Sequence, residues 1–416
     1  MGTVGDIVIY ILMFFVALGA VGAVINARAG IGKEFMDGLY SIGPVFVPVA
    51  GIMVSIPYLS RFVEAVVAPI FGKVGADPSM AATSFIAVDM GGYQLAEATA
   101  DGINGWIMAM MVGFTAGATI VYIIPVGLAM LDVRDHKFMA LGIMSGILTV
   151  PLAMLITTTI LAASGTLVRS ESSTAAESTH RFDPGVSSVI ANAIPLIVIV
   201  GSIALLLYLK PNLMIKGFMI FGRLLDSAIK IILALSIVEY FTGFISDVFG
   251  AWGFDPMIAD ADDQFRALEV AGSIGLMLAG AFPMVYMIRK YLDRPLGAAG
   301  RRVGLTSEGS AGLLAAATNP LALFHLMRSI PPKDKVLCIA FTVCAGALVG
   351  DHLAFSVNFQ PNMIVPLMIG KLAAGIAAIG LAYWIAVPTA RRLERQDRVA
   401  NVIGEDEYEV AASSEH

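Results

Sequence analysis

"FIAVDMGGYQLA", residues 85–96, has the composition of a membrane helix at both flanks but carries an aspartate and two glycines at its centre. A carboxylate at mid-bilayer costs about 2.5–3.5 kcal/mol on insertion scales, so Asp89 requires a compensating interaction. Gly91 and Gly92 permit close backbone approach and interrupt the helix beside it. The stretch predicts unwound backbone at membrane depth, which is tolerated only against protein or a water-filled cavity.

The whole chain has the composition of an integral membrane protein. Of its 416 residues, 57% are hydrophobic and 14% charged, and the mean hydropathy is +0.82, whereas soluble domains are about one quarter charged. Apolar runs reach or approach the roughly 20 residues that cross a bilayer: Ile7–Ala27, Leu39–Ser60, Gly105–Leu131, Phe138–Val168, Val186–Leu209, Ile231–Val238, Val270–Ile288, Val336–Val349 and Leu353–Gly370. We predict an all-α polytopic membrane protein, with no nucleic-acid partner.

Charge in the connections predicts the orientation. Lys and Arg gather at residues 134–137, 210–223, 289–302, 328–335 and 391–398. The intervening connections 97–104, 164–185 and 247–263 are acidic or rich in Ser and Thr. The positive-inside rule places the basic connections in the cytoplasm.

One segment does not fit a simple alternation, because Gly309–Met327 lies between two basic connections. A segment that enters and returns on one side resolves the conflict, and Pro320 within "AAATNPLALF" (315–324) breaks its helix. This predicts about ten transmembrane helices plus at least one re-entrant or broken segment, with both termini cytoplasmic. An alternative has nine crossings, with the Asp89 segment re-entrant as well.

The domain organisation is predicted to be a single transmembrane transporter domain over residues 1–390, followed by a polar cytoplasmic tail at 391–416. "FMDGL" (35–39) is similar to "FMIFGRL" (218–224), and Asp89 and Glu269 fall at similar points of the two halves. Five helices per half would make repeats 1–163 and 187–390 inverted, as in many secondary transporters. Chance similarity between Gly- and Ala-rich helices is the alternative.

Acidic residues inside apolar runs are the candidate functional groups. Glu239 could lie near a helix end, and Glu269 could pair with Arg266 at the interface. Asp89 and the Asp351–His352 pair, in "ALVGDHLAFSVNF" (347–359), indicate either a functional cavity or a buried structural ion pair. Because no buried Lys or Arg is evident to match these acids, we expect a small cationic ligand, with aromatic faces adding cation–π attraction.

A membrane-embedded enzyme is the rival class. Intramembrane aspartyl proteases carry their second acid in Gly-x-Gly-Asp, but Leu348 replaces the first glycine here, and Val88 rather than tyrosine precedes Asp89. No zinc-binding His-Glu-x-x-His, nucleophile elbow or phosphate loop is present. Cys338 and Cys344 lack metal-ligand spacing and are predicted to be packing residues. We therefore predict a protein that is not an enzyme and holds no metal or cofactor.

Four stretches resemble, in order and spacing, the ethanolamine-utilisation permease (EutH-type) family: "DMGGYQLA" (89–96), "LEVAGSIGLMLAGAFPMV" (268–285), "TNPLALF" (318–324) and "GDHLAF" (350–355). The resemblance runs from Ile7 to about Ala390 and departs at Thr318–Pro320, where Asn319 is the residue that matches. It implies a multi-pass bacterial inner-membrane protein that admits ethanolamine for a cobalamin-dependent lyase in a microcompartment, chiefly at low external pH.

A substrate site follows from these residues as a hypothesis. Asp89 and Asp351 hold the ammonium with Glu269 nearby, and Asn319, Gln94 and Asn358 receive the hydroxyl. Gly91, Gly92 and Tyr93 complete the site, and His352 either couples binding to pH or is a fixed hydrogen-bond donor. The protonated amine needs a protein path because moving a charge out of water is costly. Another small organic cation is the alternative substrate; proton coupling and a homo-oligomer are left open.

Overall fold

The protein is described by a computed structural model that covers the backbone of residues 2–174, 177–302 and 304–399. Nearly all regular structure in these residues is α-helical, which confirms the predicted all-α class. The helices of the first half are α1 (Gly2–Asn26), α2 (Gly30–Tyr40), α3 (Ile42–Met53), α4 (Ile56–Phe62), α5 (Ala68–Gly72), α6 (Ser79–Phe85), α7 (Gly92–Thr99), α8 (Ile103–Val112), α9 (Ile124–Met130), α10 (His136–Ile147) and α11 (Val150–Ser164).

After a two-stranded antiparallel sheet, β1 (Leu167–Arg169) and β2 (Ser178–Arg181), the second half is again helical. Its helices are α12 (Gly185–Leu209), α13 (Pro211–Thr242), α14 (Phe244–Phe249), α15 (Ala267–Arg302), α16 (Ser307–Thr318), α17 (Pro320–Leu326), α18 (Pro332–Ala345), α19 (Asp351–Phe359), α20 (Ile364–Ile385) and α21 (Val387–Val399). Residues 400–416 of the predicted polar tail lie outside the described residues.

Seven helical segments of the described chain are long and apolar enough to cross a membrane. They are Gly5–Asn26, Gly30–Met53, Ile103–Met130, Val133–Ser164, Gly185–Leu209, Ala267–Tyr291 and Pro361–Ile385. Several are interrupted: π-helical turns at Gly113–Gly117 and Thr119–Ile123 lie between α8 and α9. The predicted run Leu353–Gly370 is split, because Pro361 begins a 3₁₀ turn that separates α19 from α20.

The basic connections lie together on one face, here called the basic face. Lys335 Nζ is 2.7 Å from Asp135 Oδ1 in an ion pair whose side chains are each 5% exposed. Lys137 Nζ is 2.5 Å from Asp397 Oδ1 in α21. These contacts bring together residues 132–137, 327–335 and 391–397, as the charge pattern of the sequence indicates.

The acidic and Ser-rich connections lie together on the opposite face, here called the acidic face. The Ser172 amide donates to Glu97 Oε1 at 2.9 Å, and the Asp255 amide donates to the Val54 carbonyl at 2.9 Å. At the far end of this face, Asn362 Nδ2 donates to the Leu167 carbonyl. Helix α20 has 22 residues, so it separates the acidic face from the basic face by about 33 Å.

The two described ends of the chain lie on opposite faces. A Cβ placed on Gly5 would be 2.9 Å from the Pro361 carbonyl oxygen, so α1 begins on the acidic face. Helix α21 follows the basic-face end of α20 and contacts Lys137 through Asp397. The expectation that both termini share one side is therefore wrong for the residues described.

The Asp89 segment is a re-entrant hairpin. Its two ends meet on the acidic face, where the Asp101 amide donates to Asp77 Oδ2 at 3.1 Å. Helices α6 and α7 form its arms, and Val88–Met90 forms a 3₁₀ turn at its tip. We call residues 79–99 the acidic-face hairpin.

The Asn319 segment is a second re-entrant hairpin that starts from the other face. The Thr306 amide before α16 donates to Asp334 Oδ2 in α18 at 2.8 Å, so the segment returns to the face where it began. The predicted return of 309–327 is thereby confirmed. We call residues 307–326 the basic-face hairpin; α16 and α17 are its arms and Asn319 is its tip.

With two hairpins, the described chain runs between the faces nine times: α1, α2–α3, α8–α9, α10–α11, α12, α13, α15, α18–α19 and α20. This matches the nine-crossing alternative and not the arrangement with ten crossings. The charge pattern missed the return of the Asp89 segment because Arg61 and Lys73 precede it, whereas the connection that follows it, 97–104, carries only acidic charges. An odd number of crossings is also the reason that the chain ends lie on opposite faces.

Candidate functional site

A cavity of about 300 Å³ lies where three breaks in helices meet. The tips of the two hairpins and the break between α18 and α19 contribute its carboxylate, amide and imidazole side chains. Four of the predicted site residues line it: Asp89, Asn319, Asp351 and His352. We call this space the central cavity.

The tip of the acidic-face hairpin is shaped by its two glycines. Gly91 has φ +88°, and a Cβ there would be 2.9 Å from Ile52 Cβ. The Gly92 amide donates to the Ala87 carbonyl at 3.0 Å, and a Cβ on Gly92 would be 2.5 Å from that oxygen. The predicted glycines thus do not line the cavity; they fix the turn that presents Asp89.

Asn319 forms the tip of the basic-face hairpin. Its backbone is extended (φ −158°, ψ 123°), and its Oδ1 accepts from the Leu321 amide at 2.8 Å, which caps α17. Pro320 occupies the first turn of α17, where no amide donor is needed. The side-chain nitrogen of Asn319 is left as its remaining donor.

The break between α18 and α19 is held by the basic-face hairpin. The Ala347 and Val349 amides donate to the Ala316 and Ala317 carbonyls at 3.0 and 3.1 Å. A Cβ on Gly350 would be 2.2 Å from the Thr318 carbonyl oxygen, so only glycine fits there. The break places Asp351 and His352 in the first turn of α19, where the helix dipole favours a negative charge.

The two carboxylates of the central cavity form no ion pair in the described chain. Neither Asp89 nor Asp351 forms an ion pair with a described Lys or Arg, and both side chains are partly exposed to the cavity. His352 is buried, its Nδ1 has no hydrogen-bond partner among the described residues, and its ring centroid is 4.8 Å from that of Phe114. The cavity therefore combines two carboxylates that form no ion pair with an imidazole nitrogen that has no hydrogen-bond partner among the described residues.

Lys371 corrects the expectation that no buried lysine or arginine lies near these acids. Its side chain is 1% exposed in α20, and its Nζ donates to the Phe114 carbonyl at 2.9 Å. Lys371 does not line the cavity, but it interacts electrostatically with Asp89 without forming an ion pair. The sequence signal was a lone lysine between apolar residues 364–370 and 372–380, which sequence reasoning set beyond the end of a run.

Three other predicted site residues are used elsewhere. The Tyr93 hydroxyl accepts from Gln360 Nε2 at 2.8 Å, and Asn358 Nδ2 donates to the Ser273 carbonyl at 2.9 Å. Glu269 Oε2 accepts from the Ala259 and Arg266 amides, each at 3.2 Å, at the start of α15. None of the three lines the central cavity.

Gln94 does not line the central cavity either. It lines a second cavity, which opens at the acidic face. Sequence reasoning missed other lining residues of the central cavity, including Tyr122 and Phe282. Tyr122 lies in a π-helical turn, where the wider backbone shifts side chains away from the regular helical positions that a sequence pattern assumes. Its ring provides an aromatic surface beside the carboxylates.

Comparison with known proteins identifies relatives over nearly the whole chain. The model of a family described as "Ethanolamine utilisation protein, EutH" matches residues 4–385. The "Probable ethanolamine permease EutH" of Listeria monocytogenes is 32% identical over 96% of this chain and 98% of its own length. The Escherichia coli protein of that name is 31% identical over 91% of this chain and 95% of its own length.

A Bacillus subtilis relative, "Uncharacterized protein YxeR", is 31% identical over 96% of this chain and 99% of its own length. No solved structure matches the chain. The family model and the relatives cover the hairpins, the central cavity and the apolar helices of a multi-pass membrane protein. The chain belongs to the ethanolamine utilisation protein EutH family.

Proposed function

We propose that the protein transports ethanolamine across the bacterial inner membrane as its protonated amine, with the central cavity as the substrate site. The names of the relatives support a permease for this amine. The main support among the described residues is that Asp89 and Asp351 form no ion pair with a Lys or Arg there, in a cavity of about 300 Å³. A small ammonium ion would supply the missing positive charge.

The chemistry of the lining agrees with a short amino alcohol. The carboxylates of Asp89 and Asp351 accept from an ammonium in charge-assisted hydrogen bonds, which are about twice as strong as neutral ones. Asn319 donates a hydrogen bond from Nδ2 to the hydroxyl oxygen, and His352 Nδ1 accepts or donates according to its tautomer. Apolar side chains such as Phe282 and Leu278 enclose the remaining carbon atoms.

The order of elements supports two inverted units that pack around this cavity. The first unit comprises α1, α2–α3, the acidic-face hairpin, α8–α9 and α10–α11. The second comprises α13, α15, the basic-face hairpin, α18–α19 and α20, in the same order with reversed direction. In this proposal α12 joins the two units, and the second unit begins at Pro211, whereas the repeat predicted from the sequence begins at residue 187. Such units permit alternating access when one moves against the other.

The orientation follows from the charges of the faces. The basic face, with residues 132–137, 327–335 and 391–397, lies in the cytoplasm by the positive-inside rule. The acidic face then meets the exterior, and the hairpin that carries Asp89 enters from outside. The amino terminus of this chain would be external and its carboxyl terminus cytoplasmic.

Uptake of labelled ethanolamine into liposomes that hold the purified protein tests the function. We expect saturable uptake by the wild type and a loss of about 10- to 100-fold with Asp89→Asn or Asp351→Asn, because a hydrogen bond to a charged group contributes about 1.5–3 kcal/mol. Asp247→Asn, an exposed acid on the acidic face, is the matched control and should transport normally.

Two results would contradict the proposal. Full uptake by both cavity variants would remove the assigned site. Failure of the wild type to take up ethanolamine, with uptake of methylammonium or choline in the same liposomes, would keep a cation transporter and remove this substrate. Repeating the assay with and without an imposed proton gradient separates facilitated from proton-coupled movement.

A further inference from the structure

A second cavity, of about 530 Å³, opens at the acidic face and is here called the outer cavity. It lies between the end of α7, the loop after β1 and the loop before α15. Four carboxylates line it: Glu97, Glu171, Asp255 and Asp263. The cationic side chain among its lining residues is Arg266, which is 3.2 Å from Asp260 and 3.4 Å from Asp263 in ion pairs. The outer cavity therefore carries excess negative charge.

Gln94 is the feature that distinguishes the outer cavity from a solvated acidic patch. Its side chain is 6% exposed, and neither Nε2 nor Oε1 has a hydrogen-bond partner among the described residues. The Ser172 hydroxyl, which also lines the cavity, is likewise buried without a partner there. Buried polar groups in native proteins are nearly always hydrogen-bonded, so unpaired donors and acceptors at a cavity indicate a missing ligand.

The position of Gln94 links the outer cavity to the central one. Gln94 and Glu97 are three residues apart on α7 and so share one face of the helix. Helix α7 is the return arm of the hairpin whose tip carries Asp89. The same hairpin thus carries Gln94 and Glu97 at the outer cavity and Asp89 at the central cavity.

We propose that the outer cavity is a second binding site for the primary ammonium substrate, occupied before the central cavity. The carboxylates of Glu97 and Asp255 attract the ammonium group. The Gln94 side-chain amide and the Ser172 hydroxyl form hydrogen bonds with the substrate hydroxyl. The identity of the ligand rests on the proposed function, but the site itself rests on the outer cavity and its unpaired groups.

Cation binding in the outer cavity should be linked to the protonation state of Glu97. Glu97 lies outside the crossing segments, and burial raises its pKa to about 7; the Ser172 amide opposes this shift, and the charges of Glu171 and Asp263 add to it. A bound cation would favour the ionised carboxylate and release a proton. Cation affinity at Glu97 should therefore fall as pH drops through about 7, because the neutral acid then lacks the charge.

Uptake kinetics in liposomes test the outer cavity with Gln94→Leu and Glu97→Gln. We expect each to raise the KM for external ethanolamine about tenfold while the maximal rate stays near wild type, because the central cavity is intact. Gln94→Glu should lower the KM, an effect that a purely structural role for Gln94 would not give. Asp247→Asn, on the same face but outside the cavity, should leave both parameters unchanged.

Equilibrium binding of labelled ethanolamine separates the two sites. Asp89→Asn protein should retain one saturable site, and Asp89→Asn with Glu97→Gln should lose it. An unchanged KM in both Gln94→Leu and Glu97→Gln, or no residual binding in Asp89→Asn, would overturn the outer site. If the wild type neither transports nor binds ethanolamine, methylammonium serves as the probe: Glu97-dependent binding would support the site although the proposed function had failed, and its absence would overturn the site too.

Discussion

Two carboxylate sites in this protein differ in where their counter-charge comes from. At the basic face, Asp135 lies 2.7 Å from Lys335, and both side chains are nearly inaccessible. In the central cavity, Asp89 and Asp351 have no ion-pair partner in the described chain. A carboxylate is thus neutralised by a neighbouring lysine at the basic face, whereas the carboxylates of the central cavity can bind a cationic ligand.

The contrast separates structural acids from candidate functional ones. Removing one partner of a buried ion pair leaves a charge without compensation and is strongly destabilising. Removing a buried carboxylate that has no partner relieves an unfavourable charge, so stability should hold while ligand binding is lost. Stability and function should therefore respond in opposite ways at the two sites.

The largest expected effect is on stability at the paired site. Asp135→Asn should lower the free energy of unfolding by about 3–5 kcal/mol, because it leaves Lys335 buried and unpaired. Thermal unfolding in detergent measures this. The double variant Asp135→Leu with Lys335→Met should recover much of the loss; a single variant as stable as wild type would show that the pair is not structural.

The next effect concerns stabilisation by ligand at the unpaired site. Ethanolamine at 100 times its Kd for the central cavity should stabilise the wild type by about 2.7 kcal/mol through that site. Asp89→Asn and Asp351→Asn should lose this part of the gain and keep only the part from the outer cavity, without a lower stability in the absence of ligand. Thermal unfolding with and without ethanolamine is the measurement. Asp135→Asn is the control, since it should unfold earlier yet keep the ligand-induced shift. If Asp89→Asn protein were still stabilised to the wild-type extent, the central cavity would not be the main site.

A smaller effect should follow from moving the break that presents Asp351. Gly350→Ala places a Cβ 2.2 Å from the Thr318 carbonyl oxygen, so the backbone must shift at a cost of about 1–3 kcal/mol. We expect lower stability together with lower uptake. Gly380→Ala is the matched control because no atom lies within 4 Å of its added methyl group. Normal uptake by Gly350→Ala would show that the position of Asp351 is not critical.

The smallest effect is expected at the tip of the basic-face hairpin. Asn319→Ala removes the cap of α17 and should cost about 1 kcal/mol of stability, with a higher KM because the hydroxyl loses a donor. Asn319→Asp keeps the capping oxygen and adds a negative charge, so we expect a lower KM. Uptake kinetics distinguish the two variants, and identical KM values would exclude Asn319 from the substrate site.

The comparison also shows how far the site could be predicted from sequence. Asp89, Asn319, Asp351 and His352 were found because each lies beside a helix-breaking Gly or Pro in an apolar run, which is a local signal. Gln94 was predicted with them because it follows Gly91 and Gly92, and Asn358 and Glu269 because they are polar or acidic residues in apolar runs. The positions of these three side chains depend on helix direction and packing. Lys371 was missed, since a single lysine in an apolar helix gives no local indication of its partner.

The sequence by itself determined the membrane class, the three helix breaks and the grouping of basic and acidic connections, because hydropathy, backbone-breaking residues and loop charge are local properties. Only the tertiary structure decided that residues 79–99 return to the face where they began, that the described chain ends lie on opposite faces, and that Lys335 pairs with Asp135 while no lysine pairs with Asp89. These features depend on contacts between residues far apart in the chain, such as Asp77 with Asp101 or Thr306 with Asp334. No pattern within one helix encodes them.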